Sequence, residues 1–113
     1  MSEERIPAQL QEQLQRLQQL QQTLQAVVYQ RQQLEVESSE IDQALGELEK
    51  MDDNALVYKS IGSLLVKSER PKVLDELRDR KELLNTRILV LTRQRSRVEE
   101  RMKSLQKSVQ ARL

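Results

Sequence analysis

Two pairs of carboxylates are the residues of this chain whose type and spacing are best suited to a chemical role, which would be the binding of a cation. The pairs are Glu35 with Glu37 and Asp52 with Asp53. Their oxygens could hold a divalent cation loosely, but such side chains are far more often solvated helix-surface or capping groups. The chain has no Cys and no His, so it lacks the soft metal ligands and the commonest general base. We therefore predict neither a metal site nor a cofactor.

The sequence offers no arrangement of residues for catalysis. Without Cys or His, thiol catalysis and a serine–histidine triad are excluded. No Gly-rich loop of the P-loop type is present, and the carboxylates follow solvated helical patterns without forming a convergent acid–base set. We predict that the protein is not an enzyme.

Composition favours long helices over a large globular core. The chain has 113 residues, of which 33% are charged, 37% hydrophobic and 2% aromatic, with no Phe or Trp. The apolar content is thus nearly all Leu, Val, Ile and Ala, which suits long helices with thin apolar seams. No apolar run is long enough to span a bilayer, and the N-terminus lacks the apolar core of a signal peptide. We expect a cytoplasmic protein with no membrane partner.

Two heptad patterns predict the helices that must position any functional surface. The first helix is expected over residues 7–51, with Pro7 suited to a first helical turn, and the second over residues 71–113. In both, seam positions recur at alternating spacings of three and four, which is typical of a coiled coil. The first seam comprises Leu17, Leu20, Leu24, Val27, Arg31, Leu34, Ser38, Ile41, Leu45 and Leu48, and the second comprises Leu74, Leu77, Lys81, Leu84, Ile88, Leu91, Arg95, Val98, Met102, Leu105 and Val109.

The first heptad pattern is least regular at its N-terminal end. Leu10 and Leu14 are apolar, but the spacing from Leu10 through Leu14 to Leu17 departs from the alternation. Twelve of the 25 residues from 9 to 33 are Gln, which forms helix well without charge. Two interpretations remain open for this Gln-rich surface, an adaptable polar binding face and a plain solvated face.

The similar lengths of the two helices favour pairing within one chain. We predict a mainly α fold, a long antiparallel coiled-coil helical hairpin with a small β-hairpin at its bend. This alignment places Leu48 near Leu74 and brings Arg31 level with Arg95. Two buried arginines would repel, so we expect both to reach solvent or outer carboxylates.

A short β-like stretch over residues 55–67 interrupts the helices. Asp52, Asp53 and Asn54 stop the first helix, and β-branched residues follow. Gly62 and Ser63 suit a two-residue hairpin loop, with Gly supplying the positive φ of a type II′ turn. The resulting register pairs Ile61 with Leu64, Lys59 with Val66 and Tyr58 with Lys67, and neither face of the hairpin is cleanly polar.

We expect the hairpin to be an assembly surface. A two-stranded hairpin is marginal in water and its edges invite pairing, so several copies should join into a larger sheet or barrel. An apolar turn that merely caps the coiled coil would need far fewer hydrophobic residues. The candidate assembly residues are Leu56, Val57, Tyr58, Ile61, Gly62, Leu64, Leu65 and Val66.

Over essentially its whole length the sequence resembles prefoldin β subunits. The resemblance is carried by the Gln-rich first helix, the charged second helix and, most specifically, the Val57-Tyr58-Lys59-Ser60-Ile61-Gly62 core of the single hairpin. It implies one prefoldin-like domain over residues 1–113, of archaeal type. It also implies a hexamer of two α and four β subunits, in which the hairpins form a β-barrel platform. Such a hexamer holds unfolded polypeptide at the coiled-coil tips without ATP and delivers it to a group II chaperonin.

The end of the coiled coil where both termini meet is the candidate client-binding tip. Apolar groups near the end of a rod cannot all be covered, and Met adds adaptable packing. The alternative is that these residues only close the seam. The candidate tip residues are Ile6, Leu10, Leu14, Leu17, Met102, Leu105, Val109 and Leu113, with Arg101, Lys103, Lys107 and Arg112 adding attraction for acidic clients.

Two other functions compete with client binding. The basic segment from Arg87 to Arg112 could neutralise nucleic-acid phosphates. Tyr29 and Tyr58 are the only aromatic residues, however, so stacking platforms are lacking and we expect no nucleic-acid partner. A structural scaffold or tether would explain the heptads but not the apolar hairpin.

Overall fold

The computed structural model describes residues 7–113, and it contains two long helices with a small antiparallel hairpin between them. The elements are α1 (Ala8–Glu49), β1 (Leu56–Ile61), β2 (Leu64–Glu69) and α2 (Arg70–Arg112). The predicted mainly α class, with a single β-hairpin between two helices, is confirmed.

The boundaries of the elements differ slightly from the predicted ones. α1 ends at Glu49 instead of residue 51, because the amides of Lys50 and Met51 bond three residues back, to Glu47 and Leu48. β2 runs to Glu69 instead of residue 67, because Ser68 and Glu69 stay paired with β1. α2 therefore begins at Arg70, with Pro71 in its first turn, where its missing N–H costs nothing.

The helices contribute to two compact units. One unit, here called the terminal unit, contains the chain up to Arg31 and from Val90 onwards, and the hairpin unit contains Gln32–Leu89. The helices are antiparallel in each: Arg80 bonds Glu37 at 2.9 Å in the hairpin unit, and Gln13 bonds Ser108 at 3.1 Å in the terminal unit. That residues 1–113 form a single domain stays a prediction.

The predicted seams are the covered faces of both helices. Every residue assigned to either seam is buried or half-buried, with Leu84 and Leu91 almost completely enclosed. The polar seam residue Arg95 donates to Glu99 at 2.9 Å, as expected for an arginine reaching an outer carboxylate, and Arg31 is half-buried. The strict alternation of three and four thus located the apolar contact in each unit.

The N-terminal end of the α1 seam follows a different phase from the one that its leucines suggest. Leu14 is 42% exposed, whereas Gln13 is half-buried. The spacing from Leu10 through Gln13 to Leu17 is three and then four, so Gln13 continues the heptad alternation. The other eleven Gln between residues 9 and 33 are exposed. Apart from Gln13, this Gln-rich surface is therefore exposed in the single chain.

The hairpin has the predicted register. Ile61 pairs with Leu64, Lys59 with Val66 and Tyr58 with Lys67 in an antiparallel two-stranded sheet. Gly62 has φ of 58°, and no non-glycine residue among 7–113 has a positive φ. Only the first loop position thus needs the left-handed region, which agrees with a type II′ turn.

Candidate functional surfaces

The hairpin exposes most of its large apolar side chains. The exposed fraction reaches 72% at Leu65, and each strand pairs on one side only. A single chain therefore leaves both outer edges and apolar side chains on both faces of the hairpin exposed, which is unusual for apolar strands in a monomer. The exposed apolar side chains are Leu56, Tyr58, Ile61, Leu64, Leu65 and Val66.

Val57 plays a different part from its hairpin neighbours. It is 9% exposed and packs in a cluster with Leu48 of α1 and Leu74 of α2. Leu45, Val73 and Leu77 surround this cluster. Of the eight candidate assembly residues, Val57 thus anchors the hairpin to its own helices, Gly62 forms the turn, and the other six are exposed.

A charged contact holds the same face of the hairpin against α2. Lys59 lies on the Val57 side of β1, and its Nζ donates to Glu76 Oε2 at 2.7 Å. This hydrogen bond is the main cause that lowers the pKa of Glu76 from its ordinary value of 4.5, with smaller contributions from the charges of Lys59 and Lys72. The hairpin is therefore attached by one apolar and one ionic contact.

Arg70 links the base of the hairpin to the end of α1. Its Nε donates to the Leu48 carbonyl at 2.6 Å, and its Nη1 donates to Asp53 Oδ1 at 2.7 Å. No sequence signal predicts the first bond, because its acceptor is a backbone oxygen. For the second bond, an arginine near the aspartates of residues 50–55, the link between α1 and β1, is a weak signal.

Two of the four carboxylates that looked most suited to chemistry take part in ion pairs instead. Asp53 binds Arg70, and Glu37 binds Arg80 at 2.9 Å. Within residues 7–113 no group of three or more acidic side chains gathers where it could hold a metal ion. Nor is any helix in this part of the chain long and apolar enough to cross a membrane.

The seven candidate tip residues that the structure describes belong to the terminal unit, but few of them are exposed. Ile6 lies outside the described residues. Leu10 and Val109 are buried in the seam, and Leu17, Met102 and Leu105 are half-buried. Leu14, at 42%, and Leu113, at 89%, are the exposed members. Sequence reasoning grouped these residues together without distinguishing the covered ones from the accessible ones.

Grooves of different charge run along the two sides of the α2 seam in the terminal unit. On one side, hollows that share Arg101 are lined by Arg16, Arg97, Leu20, Val27, Val98 and Leu105, together with Thr23, Gln94, Ser104 and Ser108. We call this the arginine groove. On the other side, the mixed groove is lined by Leu24, Ser96, Glu99, Glu100, Met102, Lys103 and Gln106.

A polar layer interrupts the seam beside the arginine groove. Gln13 Nε2 donates to Ser108 Oγ at 3.1 Å, while Gln13 Oε1 is buried and accepts no hydrogen bond from residues 7–113. Arg112 donates to Gln9 Oε1 at 2.7 Å near the chain end. The seam therefore contains a hydrogen-bonded polar pair at this layer, where its neighbouring layers contain leucine.

Comparisons with known proteins agree on one family. Residues 11–113 match the family described as prefoldin subunit (Prefoldin_2). The chain is 44% identical to prefoldin subunit beta of Archaeoglobus fulgidus over 105 residues, covering 93% of this chain and 90% of that protein. It is 40% identical to prefoldin subunit beta of Pyrococcus furiosus over 108 residues, covering 96% and 92% respectively.

Solved structures show the same likeness. The crystal structure of the prefoldin beta subunit from Thermococcus strain KS-1 superposes with a TM-score of 0.87 at 39% identity, covering 98% of this chain and 97% of that one. The beta2 subunit from the same strain gives a TM-score of 0.72 at 21% identity, covering 79% and 95%, and supports the fold alone.

Proposed function

The chain belongs to the prefoldin subunit family, and we propose that it is a β-type subunit of an ATP-independent chaperone that holds unfolded polypeptide. The observation that carries the proposal is the apolar hairpin. Six large apolar side chains are exposed on a two-stranded sheet whose Val57 end is anchored to the helices. A surface of this kind is suited to association with other subunits.

In the proposed assembly the hairpins of several subunits pair into one platform. Two α subunits and four β copies would make the hexamer, with unpaired strand edges and the exposed apolar faces supplying the contacts. Leu56, Tyr58 and Leu65 lie on one face of the hairpin, and Ile61, Leu64 and Val66 lie on the other. Both faces therefore have apolar side chains to bury in such an assembly.

Client binding is assigned to the terminal unit. Leu14 and Leu113 are accessible there, and Met102 and Leu105 are half-buried beside the two grooves. Such a surface would bind unfolded segments weakly through many alternative contacts. The subunit would act in the cytoplasm and transfer its clients to a group II chaperonin.

The test is suppression of aggregation without ATP. A denatured client is diluted into buffer with the hexamer, and light scattering is followed as the hexamer concentration is raised. We expect the double variant Leu14→Ser, Leu113→Ser to require about fivefold more hexamer for equal suppression, because two apolar contacts are removed. The matched control is Leu83→Ser, Leu89→Ser, which changes two exposed leucines of the hairpin unit.

Two results would contradict the proposal. A hexamer of correct mass that leaves aggregation unchanged would make the chain a scaffold subunit. Equal loss in the Leu14, Leu113 variant and in the Leu83, Leu89 control would remove client binding from the terminal unit.

A further inference from the structure

The two units differ in how their basic side chains are neutralised. In the hairpin unit, four basic residues bind carboxylates of another element or of the link. In the terminal unit, Arg16, Arg97 and Arg101 line the arginine groove and make no ion pair with any described residue. Glu12, one turn before Arg16, is exposed and forms no ion pair with it in this part of the chain. Within residues 7–113, the positive charge of this groove is therefore not neutralised by an ion pair.

The arginine groove combines this charge with an apolar floor. Val27 and Val98 are buried, and Leu20 and Leu105 are half-buried, so the groove follows the edge of the seam. On α2 the lining residues run from Gln94 to Ser108, which corresponds to about 21 Å of helix. That length accommodates several residues of an extended or helical peptide.

The mixed groove lacks this preference for negative charge. Glu99 and Glu100 lie in it together with Lys103, and Glu99 already accepts a hydrogen bond from Arg95 at 2.9 Å. The two sides of the same coiled coil thus present different chemistry. Of these two grooves, as lined by residues 7–113, the arginine groove has cations without a carboxylate in its lining, whereas the mixed groove has both.

We propose that the arginine groove is a subsite for acidic amphipathic segments of unfolded polypeptide. Carboxylates of such a segment pair with the guanidinium groups, whose forked donors match carboxylate geometry, while its apolar side chains cover the Leu and Val floor. Nucleic acid fits less well, because no aromatic side chain lines the groove and an apolar floor offers nothing to a sugar–phosphate chain. This inference rests on the proposed function and adds a charge preference to it.

The experiment measures peptide binding by fluorescence anisotropy with the full-length chain. Three labelled probes share the same leucine content and carry glutamate, lysine or glutamine at their polar positions. We expect the glutamate probe to bind most tightly. The triple variant Arg16→Gln, Arg97→Gln, Arg101→Gln should lose about 10- to 100-fold in affinity for it, and its affinity for the glutamine probe should be unchanged.

The matched control removes three other exposed cations, with the substitutions Arg78→Gln, Arg87→Gln and Arg93→Gln. This control changes the net charge equally but leaves the groove intact, so it should retain the affinity for the glutamate probe. A second variant with lysine at positions 16, 97 and 101 keeps the charge and should recover most of the binding. Circular dichroism of each variant verifies that the helices are retained.

Different results would overturn the acidic-segment subsite and the proposed holding function. Equal affinity for the glutamate and lysine probes, or equal loss in the groove and control variants, would overturn the subsite while leaving apolar holding intact. A competition experiment gives a further test, in which a single-stranded oligonucleotide and the unlabelled peptide, of equal charge, each displace the glutamate probe. If the oligonucleotide displaced the probe from the groove at a lower concentration than the peptide did, the subsite would also be overturned. Absence of binding to all three probes would contradict client binding itself.

Discussion

At the scale of single residues, Arg70 connects three parts of the hairpin unit. It lies at the first position of α2 and donates to the Leu48 carbonyl near the end of α1 and to Asp53 in the link. A cation at a helix C-terminus also interacts favourably with the helix dipole. With 16% of its side chain exposed, Arg70 is more enclosed than any other cation for which an ion pair is described.

Replacing Arg70 tests this connection. We expect Arg70→Met to lower the free energy of unfolding by about 1–3 kcal/mol, because two charge-assisted hydrogen bonds are lost. Arg70→Lys should have an intermediate effect, since an ammonium lacks the fork that reaches both acceptors. Urea unfolding followed by circular dichroism measures both. The control Arg78→Met removes an exposed arginine of the same helix, and an equal loss there would contradict the role of Arg70.

Gln13 shows where sequence patterns stop being sufficient. Leu14 is the more apolar of the two neighbours, so hydrophobicity alone placed Leu14 among the apolar residues near the seam. The alternation of three and four, extended back to Leu10, selects Gln13 instead, and the structure follows that spacing. Periodicity was the better predictor here because a helix cannot change its phase without a local distortion.

At the scale of the elements, the salt bridge between Lys59 and Glu76 makes the attachment of the hairpin depend on pH. The pKa of Glu76 is lowered in the folded chain, so its contribution to stability is present above the pKa of the unfolded state. That contribution is lost as the pH falls through the lower, folded pKa. We expect amide hydrogen exchange in β1 to become faster below about pH 4, relative to the intrinsic rate.

The control for this prediction is Glu76→Gln. This variant should show the faster exchange of β1 at neutral pH and lose the additional acceleration in acid. Unchanged protection of β1 in both proteins across this pH range would mean that Val57 and the seam hold the hairpin without help from the ion pair.

The elements themselves were predictable to different degrees. The two seams followed from heptad spacing and the hairpin register followed from Gly62 and Ser63, because both signals are local in sequence. The ends of α1 and β2 and the bonds of Arg70 depend on tertiary packing and on backbone acceptors, which a sequence does not display. Leu10 and Leu14 were both predicted as tip residues because both are apolar, although Leu10 is buried and Leu14 is exposed.

At the scale of the whole molecule, the proposed assembly depends on exposed hairpin side chains. We expect Leu65→Asp to abolish the hexamer while the separate chain stays helical, because Leu65 is 72% exposed in one chain and would be desolvated only on assembly. Light scattering after size-exclusion chromatography with an α subunit measures the mass. Leu83→Asp, at an exposed leucine of α2, should assemble normally.

A substitution at Val57 distinguishes an effect on folding from an effect on assembly in the same experiment. Because Val57 is buried against Leu48 and Leu74, Val57→Asp should loosen the hairpin in the separate chain as well. A Leu65→Asp variant that forms a complex of unchanged mass would show that subunits associate through another surface.

Because α1 and α2 pair antiparallel inside one chain, formation of the coiled coil and association of subunits are different kinds of equilibrium. Formation of each seam is unimolecular, so the fraction of coiled coil is the same in dilute and in concentrated solution. Association of hairpins requires several chains, so it weakens on dilution by mass action. A subunit released from the proposed hexamer would thus keep its helices and could enter another hexamer without refolding, which makes exchange of subunits between complexes a property of this architecture.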